Sequence, residues 1–190
     1  KDSNMVVAIF LNLLQILLVF FSFYIYNNDI KDIKFWRKRE KMNFIETIKE
    51  RARQEIKTIV LPEAEDIRTL KATEVALKEK YANIILVGNE KNIKEKAETN
   101  NVNIDGAKII NPQTSPDYEK YANLLYELRK HKGMTIEQAK EITLNPVYFG
   151  MLMVKDEETT ADGLVSGAAH STADTLRPAL QILKTAPESG

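Results

Sequence analysis

The chain has no cysteine and only two histidines, His131 and His170. Without cysteine it cannot form disulfides, use a thiolate nucleophile or bind a metal through sulfur. Two histidines so far apart in the sequence do not make a histidine-rich metal site, so we predict no metal site. Lysine plus arginine and aspartate plus glutamate number 27 each, and this balance argues against general nucleic-acid binding. The absence of cysteine also agrees with a reducing cytoplasm.

Residues 1–41 differ from the rest of the chain. Residues 5–26 are almost continuously apolar, and lysines and arginines follow them. Taken alone, this pattern predicts a single-span membrane anchor that leaves the downstream domain in the cytoplasm. A second interpretation, which we favour, is that residues 1–41 are translated upstream DNA. Their composition matches A/T-rich codons, and Arg39-Glu40-Lys41 can be encoded by a purine-rich ribosome-binding sequence directly before Met42.

Residues 42–190 alternate short β-branched runs with amphipathic segments. The runs predict strands at residues 58–61, 83–87, 108–110 and in a segment that starts at Asp162. Helices are predicted at residues 44–54, 66–80, 90–100, 118–130 and 147–155, and one more begins at Thr135 with a capping box. This alternation indicates an α/β fold with a mostly parallel sheet. Ligands of such sheets bind beyond the carboxyl ends of the strands, so we expect residues 62–68 and 167–177 to share one rim.

Residues 162–184, which read DGLVSGAAHSTADTLRPALQILK, are the most informative segment. We interpret them as a strand that ends at Gly167, a turn at residues 168–172, and a helix that Asp174 or Thr175 caps, with Pro178 in its first turn. A helix N-terminus after such a small-residue loop offers unpaired backbone N–H groups and the positive end of the helix dipole, which would attract an anion. The side chains that would add donors to this phosphate cradle are Ser171, Thr172, Thr175 and Arg177. The alternative is an ordinary capped helix that binds no ligand.

Other polar residues have structural interpretations beside functional ones. His170 could act as a general base, but a lone histidine beside a turn more often makes a structural hydrogen bond. We interpret Asp162 and Asp174 as turn and cap residues. Arg129 lies at a helix C-terminus, where a cation complements the helix dipole. Arg68 follows acidic residues with which it could form a surface ion pair.

Five segments form a pattern that is too long and particular for chance. They are TIVLPEAEDIRTL (58–70), IILVGN (84–89), YELRKHKG (126–133), NPVYFGMLMV (145–154) and GAAHSTADTLRPALQ (167–181). In this order they resemble the phosphate acetyl/butyryl transferase family, which includes the phosphate acetyltransferases, or phosphotransacetylases. The resemblance extends from Met42 to about residue 187. It implies a three-layer fold like that of isocitrate and isopropylmalate dehydrogenases, with residues 42–190 as the first, truncated domain of a two-domain enzyme.

Enzymes of this family transfer an acetyl group between acetyl-CoA and phosphate, which gives acetyl phosphate and CoA. The resemblance implies that coenzyme A is a substrate, that no cofactor is bound and that no metal is required. It assigns Arg177 to phosphate and Arg129 and Arg68 to coenzyme A, with Ser171, Thr172 and Thr175 as further substrate-binding residues. It also implies a cytoplasmic enzyme that is a homodimer when full length.

The family's catalytic aspartate and its Asp-Leu-Ser-Arg-Gly motif have no counterpart in this sequence. We therefore expect no catalytic residue in this chain and no acetyl transfer by residues 42–190 alone. Two alternatives stay open, namely a phosphate butyryltransferase and a non-catalytic remnant that binds coenzyme A or phosphate. A membrane-tethered protein is a further alternative, which depends only on residues 5–26.

Overall fold

A computed structural model of the chain describes residues 38–159 and 161–184, with side chains from residue 44 onward. The segment 5–26 lies outside this range, and of residues 1–41 only residues 38–41 lie within it, so neither interpretation of that region is tested. The strands are β1 Lys57–Leu61, β2 Ala82–Val87, β3 Lys108–Ile110 and β4 Gly163–Leu164. The helices are α1 Lys38–Gln54, α2 Ile67–Lys78, α3 Glu90–Thr99, α4 Tyr118–Arg129, α5 Ile136–Thr143, α6 Pro146–Lys155 and α7 Thr172–Ile182.

The strands form one parallel sheet in the order β3-β2-β1-β4. β1 is paired on both sides, because Ile59 lies opposite Ile84 of β2 and Gly163 of β4. Parallel neighbours need long crossover connections, and the helices supply them. The prediction of an α/β fold with a mostly parallel sheet is therefore confirmed. Since the strands run in the same direction, the segments that follow β1 and β4 emerge at the same edge of the sheet.

Helices cover both faces of the sheet. Successive strand residues point to opposite faces, so a strand can contribute side chains to two cores. Val60 of β1 belongs to a core formed with α4, α5, α6 and α7, in which the rings of Tyr121 and Phe149 meet edge to face at 5.0 Å. The neighbouring Ile59 and Leu61 belong to a second core formed with α2 and α3. The helix predicted at residues 147–155 is thus a buried one, as its apolar sequence indicated.

Helix ends agree with the predictions in part. The capping box at Thr135 is confirmed, since Thr135 Oγ1 accepts from the Gln138 N–H and Gln138 Oε1 accepts from the Thr135 N–H. The helix predicted at residues 118–130 ends at Arg129 instead, and Lys130–Lys132 form a 3-10 turn. The helix predicted to reach residue 80 ends at Lys78, because Lys80 adopts a left-handed φ of 56°.

Within residues 38–159 and 161–184, each helix is too short or too polar to cross a membrane. The same residues contain no group of three or more histidine, cysteine, aspartate or glutamate side chains that could hold a metal ion.

Candidate functional site

The segment that follows β1 and the loop between β4 and α7 meet at the carboxyl edge of the sheet, as predicted. The contact is made by Glu63, which is only 6% exposed. Its Oε2 accepts the backbone N–H groups of Gly167 and Ala168 at 2.8 and 2.7 Å. Its Oε1 accepts those of Ala169 and His170, both at 2.7 Å. A carboxylate of the protein itself therefore occupies the N–H groups of residues 167–170, which are not available to a phosphate. The phosphate site at the N-terminus of the following helix stays a prediction.

Electrostatics keep the Glu63 carboxylate ionised. Burial alone would raise the pKa of this carboxyl, but the N–H groups of Ala169 and Ala168 and the ring of His170 lower it, and their effect is the larger. His170 Nδ1 lies 2.8 Å from Glu63 Oε1. The structural interpretation of His170 is thus the one that the geometry favours. Sequence reasoning treated Glu63 only as an acid near Arg68, and no local signal links it to a loop 104 residues away.

Arg68 reaches the same loop from the other side. Its Nε and Nη2 donate to the two carboxylate oxygens of Asp66 at 3.0 and 2.7 Å, so the ion pair that we considered as an alternative is present. Nη2 also donates to the carbonyl oxygen of Ala168. The side-chain hydrogen bond from Arg68 lowers the pKa of Asp66, against the opposing effect of burial. The Arg68 side chain is about half exposed, at 49%, but its Nε and Nη2 already donate to acceptors within the protein.

Helix α7 begins earlier than the sequence suggested. Ser171 is its N-cap, because the Ser171 hydroxyl accepts the Asp174 N–H at 3.2 Å and donates to the Asp174 carboxylate at 2.7 Å. The prediction that Asp174 or Thr175 caps this helix is wrong, since serine caps a helix as well as aspartate does. Pro178 consequently lies inside the helix rather than in its first turn. The Thr175 hydroxyl donates to the Ser171 carbonyl at 3.3 Å, whereas the Thr172 hydroxyl has no hydrogen-bond partner within residues 38–159 and 161–184.

The strand before this loop is also shorter than predicted. β4 contains only Gly163 and Leu164, because the chain turns toward Glu63 after the bond from the Val165 N–H to the Val60 carbonyl. Asp162, which we interpreted as a structural turn residue, does make a structural hydrogen bond. Its carboxylate accepts the Thr58 N–H at 2.8 Å, and this bond extends the pairing of β4 with β1.

Two of the predicted arginines act electrostatically on one tyrosine, Tyr148. Arg177 is exposed on α7, and Arg129 ends α4 with its Nε buried and without a hydrogen-bond partner in the described part of the chain. Burial raises the pKa of Tyr148, and the positive charges of Arg177 and Arg129 act against that rise. Tyr148 donates to Gln181 Oε1 at 2.9 Å, one helical turn beyond Arg177.

The two guanidinium groups have no carboxylate within ion-pair distance among the residues that the structure describes. A partly buried arginine without a partner is uncommon, because the lost hydration must be replaced by hydrogen bonds. Arg129, Tyr148 and Arg177 therefore form the candidate anion site. Sequence reasoning identified both arginines but missed Tyr148 and Gln181, for which the only local signal is the spacing of Gln181 four residues after Arg177.

Comparisons with known proteins agree on one family. Residues 43–190 match the family model described as phosphate acetyl/butaryl transferase. The phosphate acetyltransferase of Acetivibrio thermocellus is 53% identical over 146 residues, which are 77% of this chain and 43% of the relative. That of Clostridium acetobutylicum is 50% identical with the same coverage. The EutD phosphotransacetylase from Staphylococcus aureus superposes with a TM-score of 0.71 at 40% identity, over 78% of this chain and 44% of that one. The chain thus spans less than half the length of these relatives.

Proposed function

The chain belongs to the phosphate acetyl/butyryl transferase family, and we propose that it forms the coenzyme A-binding part of a phosphate acetyltransferase. Such an enzyme converts acetyl-CoA and phosphate into acetyl phosphate and CoA, reversibly. Three relatives that are 50–53% identical carry this name and support the proposal. A phosphate butyryltransferase is the alternative that the family description also includes. Rates with acetyl-CoA and butyryl-CoA in the complete enzyme would separate the two.

The observation that carries the proposal is that Arg129 and Arg177 have no carboxylate partner among the residues that the structure describes. Coenzyme A has several phosphate groups, and a planar guanidinium can bind such a group through two parallel hydrogen bonds. The buried, unpartnered Nε of Arg129 is a donor that an anion can satisfy. Arg177 extends the positive charge to the exposed surface of α7. We therefore propose that Arg129 and Arg177 bind phosphate groups of coenzyme A or the phosphoryl end of acetyl phosphate.

The other predicted substrate-binding residues differ in how available their side chains are to a substrate. Arg68 already donates to Asp66 and Ala168, so we propose a smaller, outer contribution from it. The hydroxyls of Ser171 and Thr175 form bonds within α7. Of the three hydroxyls, we propose that of Thr172 as the donor available to a substrate, since it lies at the positive end of the helix.

We further propose that residues 42–190 are the first domain of a two-domain enzyme like the isocitrate and isopropylmalate dehydrogenases. Acyl transfer needs a general base for the thiol and donors for the tetrahedral oxyanion. In the proposed enzyme these come from outside the present sequence, which lacks the Asp-Leu-Ser-Arg-Gly motif. No bound cofactor or metal takes part. The proposed enzyme is a cytoplasmic homodimer, as the family resemblance implies.

The proposal is tested by coenzyme A binding to the full chain, measured by isothermal titration calorimetry. We compare the wild type with Arg129→Ala and Arg177→Ala. Each variant should weaken binding about 10- to 100-fold, the equivalent of a lost hydrogen bond to a charged group. Arg177→Lys should recover only part of the affinity, because it keeps the charge but loses the fork of donors. Arg51→Ala, which removes an exposed arginine from α1, is the matched control and should bind like the wild type.

Two results would overturn the proposal. One is coenzyme A binding that stays within twofold of the wild type in both Arg129→Ala and Arg177→Ala. The other is the absence of coenzyme A binding by the wild-type chain itself. Binding without formation of acetyl phosphate is the expected result, and sustained turnover by residues 42–190 would refute the proposed division of the enzyme.

A further inference from the structure

The hydrogen bonds of Glu63 use the full capacity of its carboxylate. An ionised carboxylate has about four lone-pair sites, and here four consecutive backbone N–H groups, those of residues 167–170, point at its two oxygens. The His170 ring adds a fifth contact at 2.8 Å. The Glu63 side chain is only 3% exposed. We name this arrangement the Glu63 clamp.

The clamp requires a negative charge and two acceptor oxygens. Gly167 has a φ of +114°, a left-handed conformation that glycine adopts without strain and that lets successive N–H groups converge. A glutamine in place of Glu63 would offer one carbonyl oxygen and would turn an NH₂ donor toward the remaining N–H groups. The side chain would keep its size but lose half of its acceptors. Exchange of the carboxylate for the amide is therefore a specific perturbation of the clamp.

The segment that carries Glu63 is itself held in place. The carbonyl of Glu63 accepts the Asp66 N–H at 3.0 Å, and Asp66 caps α2 through the Arg68 N–H at 2.8 Å. From the same segment, Arg68 donates to the Ala168 carbonyl. The loop is thus bound through its N–H groups by one side chain and through a carbonyl by another. Glu63 lies just after β1, and Arg68 lies in the first turn of α2.

The loop leads directly into α7, whose cap is Ser171 and which carries Arg177. We propose that Glu63 is a positioning residue, whose carboxylate fixes the loop at residues 167–170 and thereby sets the place of α7 and Arg177 in the anion site. The part that concerns ligand affinity rests on the proposed function. The part that concerns the loop does not, because it can be measured without a ligand.

The first test compares Glu63→Gln with the wild type in the full chain, with Glu65→Gln as the matched control. Glu65 is exposed and, among the residues that the structure describes, accepts one side-chain hydrogen bond, from Asn92. Amide hydrogen exchange at residues 167–170, without ligand, should become at least about tenfold faster in Glu63→Gln and stay unchanged in Glu65→Gln. Coenzyme A affinity should fall about tenfold in Glu63→Gln while Arg129 and Arg177 are intact.

The second test is chemical rescue, which separates the loss of the carboxylate from the loss of the side chain's packing. Glu63→Ala removes the carboxylate and leaves space at the N–H groups, so added formate should restore slow exchange at residues 167–170 and part of the coenzyme A affinity. Formate should have no such effect on the wild type or on Glu63→Gln, where the site is filled. If Glu63→Ala does not fold, the comparison with Glu63→Gln still decides the proposal.

The outcomes separate this inference from the proposed function. Exchange at residues 167–170 that is unchanged in Glu63→Gln would overturn the clamp. Faster exchange together with unchanged coenzyme A affinity would overturn the link from Glu63 to Arg177. Faster exchange in a chain whose wild type binds no coenzyme A would support the fixing of the loop and refute the proposed function instead.

Discussion

Substitution of Gly150 by alanine tests how closely α6 packs on the sheet. A Cβ at this position would lie 2.6 Å from Leu164 Cδ1 and 2.9 Å from Val60 Cγ1, and both distances are shorter than real carbon contacts. The Leu164 side chain ends in a rotatable group, but Val60 is stiff at χ1 and 0% exposed on the central strand. Gly150 thus marks a place where the backbone of α6 lies too close to Leu164 and Val60 for a larger residue.

The magnitude follows from two opposing effects. Overpacking a core costs about 1–3 kcal/mol, and the exchange of glycine for alanine within a helix returns about 1 kcal/mol. Because the stiff side chain of Val60 cannot rotate away, we take the overpacking cost near the upper end of its range, at about 2–3 kcal/mol, and expect Gly150→Ala to lower the free energy of unfolding by about 1–2 kcal/mol. In a chain of this size, that lowers the melting temperature by about 2–8 °C. The decrease should be visible in urea unfolding followed by circular dichroism and in a thermal melt.

A double-mutant cycle assigns the decrease to the contact. In the background of Leu164→Ala, which removes the nearest atom, Gly150→Ala should destabilise the chain by a smaller amount than in the wild type. If Gly150→Ala is as stable as the wild type or more stable, helix propensity outweighs the steric conflict, and the close approach of α6 to the sheet is refuted.

Three further predictions concern the acid stability, a helix cap and the core. Folding lowers the pKa of Glu63, so the stabilising effect of its carboxylate is complete above about pH 4.3 and is lost as the pH falls through the lower pKa of the folded state. The difference in unfolding free energy between the wild type and Glu63→Gln should therefore shrink below about pH 4. A difference that is constant with pH would contradict this. Thr135→Ala removes the acceptor for the Gln138 N–H and should destabilise by about 1 kcal/mol in urea unfolding, while Thr135→Ser should be close to neutral. Leu70→Ala in the core, at 0% exposure, should destabilise by about 2–5 kcal/mol, and Leu180→Ala, at 57% exposure, should stay within about 0.5 kcal/mol of the wild type.

The parts of the fold that depend on local chemistry were predictable. β3 was predicted with its observed bounds, and β1 and β2 differ by one residue at most at each end, since β-branched runs bounded by proline and glycine define short buried strands. The capping box at Thr135 was equally clear, because the pattern and the hydrogen bonds concern the same four residues. The alternation of strands and helices then indicated the parallel sheet.

The parts that depend on distant contacts were not predictable. Residues 171–175 contain several side chains able to cap a helix with similar free energy, so the sequence could not single out Ser171. Nothing near Glu63 shows that its carboxylate lies among N–H groups more than 100 residues later. The resemblance to known enzymes pointed to Arg129 and Arg177, but Tyr148 and Gln181 emerged only when packing placed α6 beside α7.

The position of β4 beside β1 also has a consequence for the order of folding. The bond between Thr58 and Asp162 spans 104 residues, whereas β2 returns to β1 after a single crossover helix. Closing the longer loop costs more chain entropy before any contact offsets it, so contacts of high sequence separation form slowly. We expect β1, β2 and β3 to be paired in the folding transition state and β4 to join after it. Mutations in β4 should therefore mainly speed unfolding, and a nascent chain would gain its candidate anion site only after most of this sheet is in place.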